Sequence, residues 1–349
     1  MAVAGLARRL VDGWYEQRLP VSHWPLLPLS WTFAWLAALR RLLYRCGLLA
    51  GGRLPVPVVV VGNLTVGGSG KTPLVLWLVR NFRERGWHPG VISRGYGGAG
   101  QGIQAVTAAS LSALVGDEPV LLARRGGVPV FVGRDRCAAG SALLAAHPEC
   151  DVIISDDGLQ HYGLQRSLEL AVLDGRGAGN GRLLPAGPLR EPLWRLAQVS
   201  AVIWNGIPEA RTEKAARNTP RFTMRLVGDR FVALGGPTEG FCTAQSLAGR
   251  KLYAIAGIGE PNRFFRHLST LGLKFEAHPF PDHHPYSEAD LAFARDGVLL
   301  MTEKDAVKCS ALALGEAWVL PVDAAIGAEP GQSGLFEMIL ERLDGRPSA

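Results

Sequence analysis

The sequence predicts an α/β fold: a P-loop-type parallel sheet with helices on both faces, a second smaller α/β lobe, and an N-terminal membrane-associated helix. Three observations carry this expectation. From Leu54 onward, strand-like and helix-like stretches alternate, the pattern of parallel strand–helix units. Four β-branched residues, Val58-Val59-Val60-Val61, run into a glycine-rich loop and then into helix-spaced apolar residues. The first 53 residues differ in composition from everything after them.

Length and composition bound the rest. A chain of 349 residues has room for two domains of ordinary size. Its cysteines (Cys46, Cys137, Cys150, Cys242, Cys309) are scattered and show no C-x-x-C spacing. That excludes a disulfide framework or a cysteine zinc site and fits a reducing compartment. The net charge of +6 is concentrated in residues 1–53, where seven arginines, Arg8 and Arg9 among them, face only Asp12 and Glu16. No basic stripe interleaved with aromatics follows, so nucleic acid is not an expected partner.

Residues 1–53 read as a membrane-associated helical segment. Trp24 to Leu39 is almost wholly apolar, includes Trp31, Phe33 and Trp35, and is followed by Arg40-Arg41. Pro25 and Pro28 interrupt its start, which leaves a helix from about Trp31 to Leu49. It is too short and arginine-broken to span a bilayer, and no cleavage site marks it as a signal. Tryptophans beside arginines suit a headgroup interface; packing against the protein's own core is the alternative.

Residues 54–220 read as a P-loop nucleotide-binding lobe. Val58 to Asn63 is its first strand, and the phosphate-loop helix runs from Thr72 to about Arg85. Strands follow near Val91-Ile92, Val128 to Val132, Asp151 to Ser155, Leu168 to Leu173 and Val199 to Trp204, with helices at 120–125 and 134–146. A glycine-rich surface stretch reaches to about Gln104, and Asp117-Glu118-Pro119 opens a helix with acidic residues in its first turn. Residues 221–240 read as a strand linker, Arg221 to Leu226 and Arg230 to Leu234, ending in the turn Gly235-Gly236-Pro237. Residues 241–349 read as the smaller lobe, with strands at 252–256, 274–277, 298–301 and 318–322 and helices at 262–271 and the C-terminus. The cleft between the lobes is the expected active site.

The chemistry concentrates at the ends of these strands. Thr65-Val66-Gly67-Gly68-Ser69-Gly70-Lys71-Thr72 lies between strand and helix, where backbone N–H groups and a helix N-terminus cradle a polyphosphate. Lys71 would reach the phosphates and Thr72 a Mg²⁺ ion, so ATP and Mg²⁺ are the expected cofactors. Thr65 stands where the usual pattern has glycine. Asp156-Asp157, after an apolar strand, are the carboxylates expected to join Thr72 on the metal. Arg94 and Arg190 are candidates for anionic-substrate contacts. Asp282-His283-His284 could be a metal cluster, a turn or an acid–base group, although adjacent histidines on an extended segment diverge.

These motifs together resemble the tetraacyldisaccharide 4′-kinase family. The likeness rests on Gly62 to Thr72, Ser93-Arg94-Gly95-Tyr96, Gly116-Asp117-Glu118-Pro119 and Asp156-Asp157-Gly158-Leu159-Gln160-His161. It continues through Gly181 to Glu191, Asp282-His283 and Thr302-Glu303-Lys304-Asp305. The resemblance implies transfer of the ATP γ-phosphate to the 4′-hydroxyl of a tetraacyldisaccharide 1-phosphate, which forms the lipid A precursor lipid IVA. It implies an acylated glucosamine disaccharide as lipid substrate and a peripheral or monotopic site on the cytoplasmic face of the inner membrane. It also implies Asp117 and His283 as an acid–base pair, formed when the cleft closes over both substrates, and Tyr96 beside Arg94 and Arg190 at the substrate. A guanine-nucleotide switch fits poorly, because Thr302-Glu303-Lys304-Asp305 lacks N-K-x-D spacing. A membrane-bound positioning ATPase would carry a second lysine where this chain has Val66. Another small-molecule P-loop kinase is the nearer alternative.

Overall fold

A computed structural model describes residues 10–16, 18–235, 240–328 and 332–344. Arg8, Arg9, the Gly236-Pro237 turn and the last five residues lie outside the described residues. The larger sheet is built on β1 (Val58–Gly62), whose side chains are all buried. Alternate valines serve opposite faces: Val59 and Val61 join Leu74, Leu78 and Phe82, while Val58 and Val60 join Ile153, Leu159 and Leu173. A strand buried on both sides needs helices above and below, which is why the valine run is unbroken.

The other strands of this sheet are β2 (Pro89–Ser93), β3 (Gln104–Val106), β4 (Val130–Val132), β5 (Val152–Asp156), β6 (Leu168–Asp174), β7 (Ala201–Asn205) and β8 (Arg221–Val227). The smaller lobe contains β9 (Arg230–Ala233), β10 (Phe241–Thr243), β11 (Leu252–Ala256), β12 (Glu276–Pro279), β13 (Val298–Thr302) and β14 (Ala317–Leu320). A last strand, β15 (Asp323–Ala328), returns to the larger sheet, whose order is β15-β8-β7-β6-β1-β5-β2-β4-β3. Its interior is parallel, and β3 and β15 close the edges antiparallel. The six-stranded sheet runs β10-β9-β14-β13-β11-β12.

The domain boundaries differ from those read in the sequence. The 221–240 linker divides, with β8 in the larger sheet and β9 in the smaller. Residues 323–328 and 335–344, expected in the smaller lobe, belong to the larger one: β15 covers the edge of β8, and helix Leu335–Asp344 sets Phe336 against Trp77 and Phe82. An open edge and an unpaired apolar helix face are both costly, and one C-terminal return removes both. The glycine-rich stretch ends at Gln104, where β3, a short strand not expected from the sequence, begins.

The N-terminal helix spans Leu27–Arg45, earlier than the expected Trp31 to Leu49, because Pro28 fits the first turn and does not break it. Only Ser30 and Arg41 of this helix are buried. Ser30 donates to the Leu183 carbonyl and Arg41 pairs with Glu191, so a narrow polar seam docks the helix on the body. Trp31 and Trp35 are each 64% exposed, which leaves the opposite face apolar and uncovered. No described helix is long and apolar enough to cross a membrane.

Candidate active site

The phosphate loop leaves β1 at Gly62 and ends where helix Lys71–Glu84 begins. Gly70 precedes the helix at φ 98°, and a Cβ there would lie 2.4 Å from the Asn205 amide, so this position requires glycine. Gly68 to Thr72 line a cavity of about 810 Å³ whose far wall is the smaller lobe at Ile258, Gly259 and Phe264. Thr65 and Val66, expected at the nucleotide, instead fasten the loop: Thr65 is buried and bridged to Leu189, and the Val66 N–H donates to the Pro188 carbonyl.

The two aspartates after β5 have opposite surroundings. Asp157, at φ 47°, accepts two bonds from Arg190 (2.9 and 3.1 Å) and lies 3.5 Å from Lys71. Burial alone would raise its pKa, but Lys71 and Arg190 outweigh it and hold the carboxyl well below the usual range. Asp156 is 1% exposed and its Oδ1 has no hydrogen-bond partner, while Ser93 donates to Oδ2 at 3.4 Å. Burial first, then the nearby Glu118 carboxylate, push its pKa up to about 7. A buried carboxylate with a free oxygen beside further acidic groups fits a hard cation, and Thr72 supplies a hydroxyl in the cavity that Glu118 also lines. The residues present therefore fit Mg²⁺, although no ready-made cluster of three acidic, histidine or cysteine ligands exists among the described residues.

On the phosphate-loop side of the cleft, Asp117 begins helix Asp117–Gly126 and is buried. His283 Nδ1 lies 3.1 Å from Asp117 Oδ1 and 3.2 Å from Oδ2, and because a carboxylate only accepts, Nδ1 carries the donated proton. The pairing expected on closure of the cleft is already made. His283 adopts φ 60°, so the segment is a left-handed turn and not the extended strand expected for adjacent histidines. His284 points elsewhere, with Nε2 3.5 Å from Asp290. Burial opposes ionisation of Asp117, yet the His283 bond and Lys304 bring its pKa below the ordinary value. The Asp117 bond raises the pKa of His283, against burial and Lys304. Lys304 Nζ lies 3.4 Å from His283 Nε2, 3.1 Å from Glu118 and 3.3 Å from Asp282, and these acids keep it charged despite its burial.

Of the substrate candidates, Arg190 sits on Asp157, and the exposed Tyr96 ring lies 5.2 Å from the His283 ring. Arg94 is exposed and near Arg136, which burial pushes down to about 10 and which donates to the Asp156 carbonyl. The structure thus adds Lys304, Glu118 and Arg136 to the site. Lys304 was visible within Thr302-Glu303-Lys304-Asp305, where Thr302 caps helix Glu303–Cys309; its approach to His283 was not.

Comparisons with known proteins agree with this geometry. A family model described as Tetraacyldisaccharide-1-P 4'-kinase matches residues 22–344. The chain is 56% identical over 348 residues to a tetraacyldisaccharide 4'-kinase of Dechloromonas aromatica, covering 99% of this chain and 100% of the relative. A protein of the same name from Azoarcus is 57% identical, with both chains covered in full. The ATP-complexed crystal structure of LpxK from Aquifex aeolicus superposes with a TM-score of 0.76 at 30% identity, over 93% of this chain and 100% of that one.

Proposed function

The chain belongs to the tetraacyldisaccharide-1-P 4'-kinase family, and on that premise we propose how its residues divide the work. The protein is an ATP-dependent kinase that phosphorylates the 4′-hydroxyl of a tetraacyldisaccharide 1-phosphate, a step in lipid A biosynthesis. The phosphate loop holds the ATP phosphates, and Lys71 neutralises charge on the γ-phosphoryl group as it moves. Thr72 and the free Oδ1 of Asp156 would hold Mg²⁺, whose charge would offset that of the phosphates. Asp157, engaged with Lys71 and Arg190, fixes those two cations.

A sugar hydroxyl is a poor nucleophile until its proton is taken. Asp117 is ionised at neutral pH and receives that proton, while His283 orients the carboxylate and shares the charge. The hydroxyl oxygen bonds to the γ-phosphorus as the bond to the β–γ bridging oxygen breaks, and ADP leaves. Tyr96, Arg94 and Arg190 face the disaccharide. The observation that carries this assignment is the Asp117–His283 contact, which joins the two lobes beside the phosphate loop.

The lipid acceptor must be reached at a membrane surface. The uncovered face of helix Leu27–Arg45, with Trp31 and Trp35, would insert at the headgroup boundary on the cytoplasmic side of the inner membrane. ATP turnover measured with and without tetraacyldisaccharide 1-phosphate in mixed micelles tests the kinase: lipid-independent hydrolysis with no phosphorylated lipid would overturn it. Replacing Trp31 and Trp35 by serine should move the protein from membranes to the soluble fraction, whereas high salt alone should release it only in part. Unchanged membrane recovery of that variant would remove the role given to this face.

A further inference from the structure

Four successive carbonyls at the tip of the phosphate loop are each held by a side chain from a different part of the chain. Tyr15 donates its hydroxyl to Val66 O (3.4 Å) and Asn63 its amide to Gly67 O (3.1 Å). Arg176 donates to Gly68 O (3.1 Å) and Asn205 to Ser69 O (2.9 Å). A peptide plane whose carbonyl is drawn to one side turns its N–H to the other, so these tethers orient the amides that a phosphate would meet. Asn63 and Asn205 stand at the ends of β1 and β7 and are fixed by the sheet.

The other two tethers form a chain of contacts from the amino-terminal segment. Arg176 is clamped by the Asp174 carboxylate (2.7 and 3.1 Å) and also reaches Gly259 O of the smaller lobe at 3.4 Å. Its guanidinium lies over the Tyr15 ring, 5.1 Å from the centroid. Burial pushes the Tyr15 phenol up from its ordinary pKa, so it stays protonated as a donor. The segment carrying Tyr15 is seated by Trp14, whose indole N–H donates to Pro185 O (3.0 Å) and whose carbonyl accepts from Asn180 N (2.7 Å). Trp14 and Tyr15 lie only a dozen residues before helix Leu27–Arg45.

We propose that Tyr15 and Arg176 are positioning residues of the nucleotide site, through which the seated amino-terminal segment completes the phosphate loop and sets its affinity for ATP. The segment given to the membrane is then also a working part of the ATP site. This inference rests on the kinase reading and adds to it a control of nucleotide affinity by residues outside the loop.

The test uses the full-length protein and a non-hydrolysable ATP analogue with Mg²⁺, titrated calorimetrically without lipid, followed by steady-state kinetics. Tyr15→Leu removes both the hydroxyl and the ring beneath Arg176; analogue Kd and ATP KM should rise about ten-fold. Its kcat, lipid KM and Tm should stay at the wild-type values. Tyr15→Phe keeps the ring and loses one hydrogen bond, so Kd should rise only about three-fold. If Tyr15→Leu folds poorly, Arg176→Lys supplies the same readout, because a lysine keeps the charge but cannot reach Gly68, Gly259 and Asp174 together. Unchanged analogue affinity in these variants overturns the proposal, as does a parallel rise in both KM values with a lower Tm, which marks a purely structural role. A wild-type protein that binds no analogue would instead bring down the kinase reading itself.

Discussion

The loop after β1 and the loop after β11 start from the same local plan: a fully buried parallel strand, glycines, then a helix. Their backbones are used in opposite ways. In the first, side chains hold the carbonyls of Val66 to Ser69, and the helix opens with Lys71-Thr72. In the second, the Gly257 N–H donates to both oxygens of Asp305 at 3.2 Å, and the helix opens with Pro261-Asn262. Asp305 is a built-in anion: it is fully buried, also accepts from Tyr286 (3.0 Å) and Thr302 (2.6 Å), and pairs with Lys308 (2.9 Å). The second loop still contributes by contact, since Gly259 lies so close to Gly68 that a Cβ on it would meet the Gly68 nitrogen at 2.4 Å.

The sharpest way to break this contrast is Lys71→Ala. It should reduce turnover about 10³-fold or more while Tm stays near wild type, because the lysine serves the transferring phosphate and not the core. Near-normal turnover in the folded variant would mean that the first loop is no more specialised than the second.

Whether the smaller lobe takes part in chemistry is read from Asp117→Ala, His283→Ala and the double variant at saturating ATP. Each single change should cost about 10²–10⁴ in rate and the double little more than the worse single, since the two groups act as one unit. Losses that multiply would mean that the two residues work independently and that the dyad must be given up, while an unchanged rate for His283→Ala alone would leave the smaller lobe a structural role.

Asp305→Ala probes the second loop in its own terms. Removing this carboxylate leaves several buried donors and Lys308 without their partner, at a cost of about 3 kcal/mol, seen by denaturation followed through Trp318. Unchanged stability would show that the loop does not depend on its internal anion.

The smallest expected effect is a shift in pH dependence. Asp117 holds the pKa of His283 above 6.5, so the charged pair stabilises the lobe contact fully below that ordinary value and loses this as pH rises through the raised one. A neutral His283, able to share the proton, predominates only above the raised value, and kcat/KM should rise with pH through a point above 6.5. Lys304→Met removes a charge that lowers this pKa and should move the rise to higher pH. A rise below 6.5, or movement to lower pH, would contradict the assignment.

The sequence by itself determined the elements whose cause is local. The valine run makes β1 because β-branched residues fill a two-faced buried strand, and the glycine run ending in Gly70-Lys71-Thr72 reads as a phosphate loop because it joins a φ-permissive turn to a helix N-terminus that opens on a lysine and a hydroxyl. The family motifs brought Asp117 and His283 together as a pair before any geometry was available, and the structure places them 3.1 Å apart. What the tertiary structure decided depends on residues far apart in the chain. β15 and helix Leu335–Asp344 follow the smaller lobe in sequence yet close the larger one, because an open β8 edge is a cost no local pattern announces. Asp156 and Asp157 are neighbours of identical type, and only the arrival of Arg190 and Lys71 on one and burial of the other shift their carboxyls in opposite directions. Tyr15 carries no motif at all. Its place under Arg176 arises from a fold that carries residue 15 to the phosphate loop, and electrostatics and hydrogen bonding act on distance in space, not along the chain.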